Sequence, residues 1–319
     1  MVPAAQVSPA AFRAAHCWFN VDRVPNDPAA TAWKRAARLR QARWREAQGH
    51  LIGAEPYAGG DGSKPVSSRL ALDFAKDSGA NFLSPNILAA ARARLANPER
   101  GQTLKEERLW ADLLSSMPLC FNMFGELHAD AALAATAVHA WWPDAPNGNV
   151  TVRFEHSPGR SDPLFLGNKS AFDVAFEIEK ADGTCGIIGV ETKYHEHAKA
   201  EAVPKPKALA RYTEVTEHSG QFKSNWRTAI VGTELQQIWL DHLLVLSMLQ
   251  HPSKRWSWGR FVLVYPGENP SFARAAERYR DVLTDTATFE ARTIESLVDV
   301  EGVLPEKVVR AFRERYLRA

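Results

Sequence analysis

Two alternating segments on either side of Asp182-Gly183 constrain the fold of this chain more than any other feature of its sequence. Residues 172–179 alternate apolar and polar side chains, and residues 187–194 alternate again after the turn. A period of two residues is typical of a β-strand with one buried face, and Asp-Gly is common in hairpin turns. The sequence therefore predicts a β-hairpin whose first strand carries, on one face, Phe172, Val174, Phe176 and Ile178.

The length of the turn decides which side chains face each other, because a shift of one residue sends every side chain to the opposite face. A two-residue turn of Asp182-Gly183 would place Asp173 opposite Thr192. A three-residue loop over residues 181–183, ending in a left-handed glycine, would place Asp173 opposite Glu191, with Cβ atoms about 4.5–5.5 Å apart. The second register also pairs the apolar residues of the two strands with one another, so it is the register that we predict.

Asp173 and Glu191 would then form a close pair of carboxylates. Such a pair is repulsive, and the pKa of one or both groups rises unless a cation lies between them. Lys193 follows two residues after Glu191 on the same strand. Two carboxylates and an ammonium on one sheet face are what a divalent metal and an attacking water need to cut a phosphodiester. The alternatives are a solvated acidic patch and an Asp–Lys–Glu ion network, but the spacing and strand context favour the metal site.

The composition is that of a globular protein, with 319 residues of which 45% are hydrophobic and 24% charged. Its three cysteines, Cys17, Cys120 and Cys185, have no metal-type spacing and cannot all pair, so a reducing, cytoplasmic setting is expected. No apolar run approaches a membrane-spanning length, so no membrane association is expected.

The net charge of +2 is too small to indicate a nucleic-acid partner by itself, but the basic residues are unevenly distributed. Residues 34–45 form an Ala-rich, basic segment that is expected to be helical. Lys34, Arg38 and Arg43 in this segment could contact the phosphates of DNA, and so could His195, which follows the hairpin. The alternative for the helix is an ordinary solvated face.

Turn signals and hydrophobic periods divide the chain near residue 112. Residues 1–112 are expected to form a helical, loop-rich accessory region with a turn at residues 57–62. Residues 113–319 are expected to form the main domain. Its elements are predicted in the order helix, three strands, helix, strand, helix, strand, helix.

This order, with Asp173 on the second strand and Glu191-Thr192-Lys193 on the third, resembles the PD-(D/E)xK nuclease superfamily. The proline of the motif is absent, since Phe172 precedes Asp173. Residues 115–127, 235–239 and 312–317 are similar to a bacterial family of restriction endonucleases. The resemblance covers residues 110–319. It implies an α/β fold with a central mixed β-sheet flanked by helices, in the order αβββαβ, with the N-terminal helices as an extension.

The residue types suggest a mechanism for such an enzyme. Asp173 and Glu191, together with the Thr192 carbonyl, are expected to bind Mg²⁺, which prefers oxygen ligands, or Mn²⁺ in its place. The metal would lower the pKa of a bound water and neutralise charge on the scissile phosphate. Lys193 is expected to orient that water or to stabilise the transition state.

The resemblance also implies a further acidic residue upstream of the hairpin. Glu126 lies in the helix before the first strand, where many superfamily members carry an acid, and Glu155 lies at the end of that strand. An acid early in a helix is also favoured by the helix dipole, so Glu126 has a structural alternative. Glu126 and Glu155 are therefore both candidates for the upstream acid.

The expected function is that of a Mg²⁺-dependent nuclease cutting DNA, and the resemblance implies that it is of the restriction type and has a role in defence. Double-strand cleavage with one active site per chain suggests a homodimer. The alternative is a protein with a nuclease fold that binds nucleic acid or a protein partner without cutting. The presence of Asp173, Glu191 and Lys193 together favours the enzyme, because a degenerate site usually loses one of the three.

Overall fold

A computed structural model describes residues 8–17, 20–54, 64–99, 101–102 and 104–317. The turn predicted at residues 57–62 lies outside these ranges. The helices are α1 (Pro9–Ala14), α2 (Pro28–Ala47), α3 (Leu72–Ser78), α4 (Pro85–Ala96), α5 (Glu106–Ala111), α6 (Ser116–Ala129), α7 (Ala131–Trp141), α8 (Pro206–Ser219), α9 (Trp226–Ile230), α10 (Gln236–Leu249), α11 (Pro270–Val282), α12 (Ile294–Val298) and α13 (Glu306–Tyr316).

The strands form two sheets. They are β1 (Ile52–Ala54), β2 (Pro65–Leu70), β3 (Asn149–His156), β4 (Phe172–Glu179), β5 (Cys185–Thr192), β6 (Trp256–Tyr265) and β7 (Phe289–Thr293). The larger sheet has the order β3-β4-β5-β6-β7, with antiparallel pairing from β3 to β5 and parallel pairing from β5 to β7. This central mixed sheet, flanked by helices, confirms the predicted fold class. The strands come in the predicted order, but two helices precede β3, three lie between β5 and β6, and two follow β7, where one was predicted in each place.

The hairpin of β4 and β5 has the predicted register. Val174 pairs with Val190, and the Gly183 amide donates to the Lys180 carbonyl at 3.0 Å, which closes a three-residue loop. Gly183 has φ +79°, in the left-handed region that favours glycine. The turn length inferred from hydrophobic pairing is confirmed.

The face assigned to Phe172 was wrong. Val174 packs in the hydrophobic cluster under α6 and α7, whereas Phe172 packs in the cluster on the opposite face of the sheet. The Phe172 ring fills the space that a side chain at position 189 would need, and position 189 is a glycine. The pairing of β4 with β5 also begins only at Val174. The regular alternation of β4 therefore breaks at its first residues, next to Asp173.

Hydrophobic clusters cover both faces of the large sheet. The first packs Val190 and its neighbours against α6 and α7, and the second packs Leu263 and its neighbours against α8, α10 and α11. Helix α10 is apolar nearly all round because it lies between the sheet and α8, and Trp239 and Leu243 within it are fully buried.

The N-terminal region is mostly helical, as predicted, but also contains the two-stranded sheet of β1 and β2. Trp33 and Ile87 from this region belong to the same hydrophobic cluster as Val190. The division of the chain at residue 112 remains a prediction. Cys17, Cys120 and Cys185 are buried and unpaired. Among the described residues, no helix combines the length and the apolar character that crossing a membrane requires.

Candidate active site

Asp173 lies where the regular pairing of β4 stops. Its Oδ2 atom accepts hydrogen bonds from the Thr192 backbone amide at 2.8 Å and from Thr192 Oγ1 at 2.6 Å. Burial nevertheless raises the pKa of Asp173, although the nearby charge of Lys193 and the bonds from Thr192 act in the other direction. Thr192 therefore fixes the position of a carboxylate whose charge is poorly compensated.

Glu191 and Lys193 lie beside Asp173 and form an ion pair, with Lys193 Nζ 2.7 Å from Glu191 Oε1. Burial raises the pKa of Glu191 well above its ordinary value, and the negative charge of Asp173 adds to this effect. Burial disfavours the charged form of Lys193, but the charges of Glu191 and other acids outweigh burial and raise its pKa. Lys193 is therefore positively charged, and one lysine does not neutralise the acids around it.

Glu155 on β3 is the upstream acid that approaches this group. Burial and the charge of Asp173 raise its pKa to about 7. Its backbone has φ +49°, which a non-glycine residue adopts at a cost, and its carbonyl oxygen accepts a bond from Arg160 Nη2 at 2.8 Å. Strained backbone that the surroundings hold in place is often part of a functional site.

Asp241 on α10 was not anticipated from the sequence. Its Oδ2 atom is buried and has no hydrogen-bond partner among the described residues, and burial together with the charge of Asp173 raises its pKa to about 7. Gln237, one turn earlier on the same helix, places Nε2 3.5 Å from Glu191 Oε1. The sequence does contain a signal for this residue, because Gln237 and Asp241 are polar residues at i and i+4 in a largely apolar helix.

These side chains fit a divalent cation. Asp173, Glu191, Glu155 and Asp241 are half-buried around one lysine, and among the described residues Asp241 Oδ2 has no hydrogen-bond donor. No group of three or more His, Cys, Asp or Glu side chains among the described residues is arranged to hold a metal by itself. A cation held by two carboxylates, one carbonyl and several waters, which is typical of Mg²⁺, does not need such a group.

Glu126 lies in the last turn of α6, so the prediction that it lies early in its helix was wrong. Its Oε1 atom accepts a hydrogen bond from Ser84 Oγ, and its Oε2 atom accepts one from Asn86 Nδ2 at 2.9 Å. Ser84 is the N-cap of α4, so Glu126 supports the start of that helix. Among the described residues it makes no hydrogen bond or ion pair with Asp173 or Glu191. The geometry thus favours Glu155 over Glu126 as the upstream acid.

The basic candidates occupy different environments. Helix α2 lies beside the segment after Lys193, since Trp33 Nε1 donates to the Tyr194 carbonyl at 3.2 Å. Lys34 is partly buried near Glu196 and Asp22, and burial lowers its pKa. Arg43 is exposed.

Arg38 and His195 converge on the buried carboxylate of Asp22. Arg38 places Nε 2.6 Å from Asp22 Oδ2 and donates through Nη1 to Ser68 Oγ at 2.9 Å. His195 Nε2 lies 2.8 Å from Asp22 Oδ1, and burial lowers the pKa of His195. Since Arg38 Nη2 also donates to Asp22 Oδ1 at 2.8 Å, all three nitrogens of the Arg38 guanidinium are hydrogen-bonded within the protein.

The raised pKa of Glu155 predicts a pH-dependent gain in stability for the variant Glu155→Gln. A carboxyl that binds its proton more tightly in the folded state stabilises the fold below its ordinary pKa of 4.5, and this contribution is lost as the pH rises to about 7. We therefore expect Glu155→Gln to gain free energy of unfolding relative to wild type between pH 5 and 8, by on the order of 3 kcal/mol. Urea titrations of both proteins in EDTA at each pH measure the difference.

Each variant is compared with wild type at the same pH, because other groups also titrate in this range. Burial lowers the pKa of His242 to about 3, so His242 changes stability in the direction opposite to Glu155. The matched control is Glu179→Gln, which removes an exposed carboxylate from β4, and its difference from wild type should stay flat. If the stability difference between Glu155→Gln and wild type is also independent of pH, the charged form of Glu155 does not destabilise the fold.

The chain was compared with known proteins and protein families. No curated protein and no solved structure matches the chain. The family model described as the PD-(D/E)XK nuclease superfamily matches residues 26–318, nearly the whole chain and most of the N-terminal helical region. With this match and with an acidic residue and an ExK triplet on neighbouring strands of a mixed sheet, the chain belongs to the PD-(D/E)XK nuclease superfamily.

Proposed function

We propose that the protein is a Mg²⁺-dependent nuclease that hydrolyses phosphodiester bonds in DNA as a restriction-type endonuclease. The observation that carries the proposal is the excess of half-buried carboxylates around Lys193, since partial burial raises the pKa of Asp173, Glu191, Glu155 and Asp241. Members of this superfamily typically use divalent metals. A divalent cation removes the repulsion that these carboxylates otherwise impose on the fold.

Asp173 and Glu191 would hold the metal, with the Thr192 carbonyl as a third oxygen. The bonds from Thr192 go to Asp173 Oδ2, and the bond from Lys193 goes to Glu191 Oε1. Among the described residues, Asp173 Oδ1 and Glu191 Oε2 accept no hydrogen bond, so each carboxylate keeps one oxygen for a ligand. When bound, the metal lowers the pKa of a water and neutralises charge on the phosphate.

Lys193 would supply the fixed positive charge of the site. Its side chain is 9% exposed and is held by Glu191, so the ammonium needs little rearrangement to face a phosphate. Glu155 and Asp241, with pKa values of about 7, would exchange protons with the attacking water or the leaving oxygen near neutral pH. The proposed site therefore combines a fixed cation with half-buried acids that exchange protons near neutral pH.

A cleavage assay tests the proposal. Supercoiled plasmid, linear duplex DNA and a single-stranded RNA of matched sequence are incubated with the protein in Mg²⁺, Mn²⁺, Ca²⁺ or EDTA. We expect nicking or linearisation of plasmid with Mg²⁺ and Mn²⁺, and none with EDTA, because the carboxylates cannot neutralise a phosphate by themselves. Cutting of the closed plasmid shows endonuclease activity, and the RNA arm tests the choice of DNA.

Glu179→Gln is the control for the protein preparation, since it alters β4 outside the site, and it should cut like wild type. Cleavage that persists in EDTA would contradict a metal-dependent mechanism. Binding of DNA without cutting in any metal would support the alternative of a nuclease-fold binding protein.

A further inference from the structure

A cavity of about 610 Å³ lies between the N-terminal region and the segment that follows Lys193. We call it the arginine pocket, and the residues that matter for its chemistry are Arg38, Arg69, Arg108, His195 and Glu196. Its volume is that of a site for a small organic ligand or a nucleotide rather than for a single ion.

Arg69 on β2 makes no side-chain hydrogen bond among the described residues. It is 7% exposed, its Nε atom is buried without a hydrogen bond, and its Nη1 atom lies 4.0 Å from the nearest carboxylate, that of Asp112. An unpaired buried donor, especially a charged one, is costly. The arginine therefore lacks the oxygen acceptor that its environment requires.

Arg108 adds a second guanidinium with free donors. Among the described residues it makes one hydrogen bond, from Nη2 to Ser115 Oγ at 3.1 Å. Arg38, in contrast, is already satisfied by Asp22 and Ser68 and forms a fixed wall. The pocket thus presents two guanidiniums with donors to spare, a geometry that matches the oxygens of a phosphate.

The acidic residues of the pocket are already engaged. Glu196 accepts bonds from Ser116 Oγ at 3.1 Å and from the Tyr194 amide at 2.9 Å, and the charge of Lys193 lowers its pKa against the effect of burial. Asp112 accepts a bond from the Leu114 amide at 3.0 Å. Asp112 thus offsets part of the charge of Arg69 from 4.0 Å, but among the described residues no carboxylate accepts a hydrogen bond from Arg69 or Arg108.

The pocket adjoins the candidate active site. Arg108 lies close enough to Glu155 to lower its pKa. Ser116, whose hydroxyl donates to Glu196, also offers its carbonyl to Thr192 Oγ1 at 3.4 Å, and Thr192 in turn holds Asp173. One layer of side chains thus separates the pocket from the carboxylates.

We propose that Arg69 and Arg108 bind a phosphate of the nucleic-acid strand, next to the phosphate that is cut. This proposal rests on the proposed function for the identity of its ligand, a nucleotide phosphate. That phosphate comes either from a strand end or from the interior of the chain. The pocket fixes the strand relative to Asp173 and Lys193, so Arg69 and Arg108 are positioning residues.

A binding assay without cleavage tests the pocket separately from catalysis. The anisotropy of labelled single-stranded oligonucleotides with a 5′-phosphate, a 3′-phosphate or hydroxyl ends is measured in EDTA over a range of salt. The proteins are wild type, Arg69→Gln, Arg108→Gln and the control Arg310→Gln, an exposed arginine on α13. Arg108→Gln is the decisive variant if Arg69→Gln does not fold, because Arg108 is only partly buried.

We expect each pocket variant to weaken binding at least about tenfold and to reduce the slope of log Kd against log salt by about 0.7 per lost phosphate contact, with Arg310→Gln unchanged. A loss confined to phosphorylated ends assigns a terminal phosphate, and an equal loss for all oligonucleotides assigns an internal one. Wild-type affinity and salt slope in Arg108→Gln would overturn the pocket even if the protein cuts DNA. If the affinity for the oligonucleotides depends on Arg69 or Arg108, the proposed phosphate site is upheld even if the protein does not cut DNA.

Discussion

Replacing Asp173 by Asn is expected to reduce DNA cleavage at least about a thousandfold. The metal stabilises the transition state by several kcal/mol, and it is bound through the carboxylate that this change removes. The fold should tolerate the change. Asn has the shape of Asp and keeps an oxygen that can accept from the Thr192 amide. Since burial raises the pKa of Asp173, its charge is a burden on the folded state, and Asp173→Asn should unfold at the same temperature as wild type or higher in EDTA.

Thermal melts and plasmid cleavage measured on the same preparations separate the two effects. Glu179→Gln on the same strand should change neither, because its carboxylate is exposed. Wild type should melt at a higher temperature in Mg²⁺ than in EDTA, and Asp173→Asn should lose most of this shift. A strongly destabilised Asp173→Asn in a protein that Mg²⁺ does not stabilise would mean that Asp173 belongs to a structural ion network.

The hairpin could be predicted from sequence because two independent signals agreed. The pairing of apolar residues, such as Val174 with Val190, and the three-residue loop at Gly183 both require one register. Phe172 was misplaced because alternation assumes a regular strand. The positive φ of Glu155 on the neighbouring strand, which no propensity signals, accompanies the irregular start of β4.

The parts of the site that sequence reasoning missed depend on long-range packing. Asp241 reaches the carboxylates only because α10 packs on β5 and β6, about fifty residues after Glu191 in the chain. Glu126 occupies the expected helix, but α4, from the N-terminal region, takes up its carboxylate through Ser84 and Asn86. The i and i+4 spacing of Gln237 and Asp241 is visible in the sequence. No local pattern, however, shows which residues Asp241 or Glu126 will meet in the fold.

Replacing Lys193 by Met is expected to lower the stability of the metal-free protein at pH 8 by on the order of 3 kcal/mol, since the change leaves Glu191 buried without its cation. Met keeps most of the apolar stem of lysine, so the loss reports the charge. Cleavage should fall by about a hundredfold to a thousandfold, the usual effect of removing one preorganised electrostatic contact. Chemical denaturation in EDTA and initial cleavage rates in Mg²⁺ measure the two effects.

The response of Lys193→Met to Mg²⁺ distinguishes a metal site from a simple salt bridge. Loss of a positive charge beside Asp173 and Glu191 should strengthen cation binding, so Mg²⁺ should raise the melting temperature of Lys193→Met more than that of wild type. Lys307→Met, which removes an exposed lysine from α13, should respond like wild type. If Mg²⁺ stabilises neither wild type nor Lys193→Met, the lysine serves to neutralise Glu191 in the fold, and the proposed metal site is wrong.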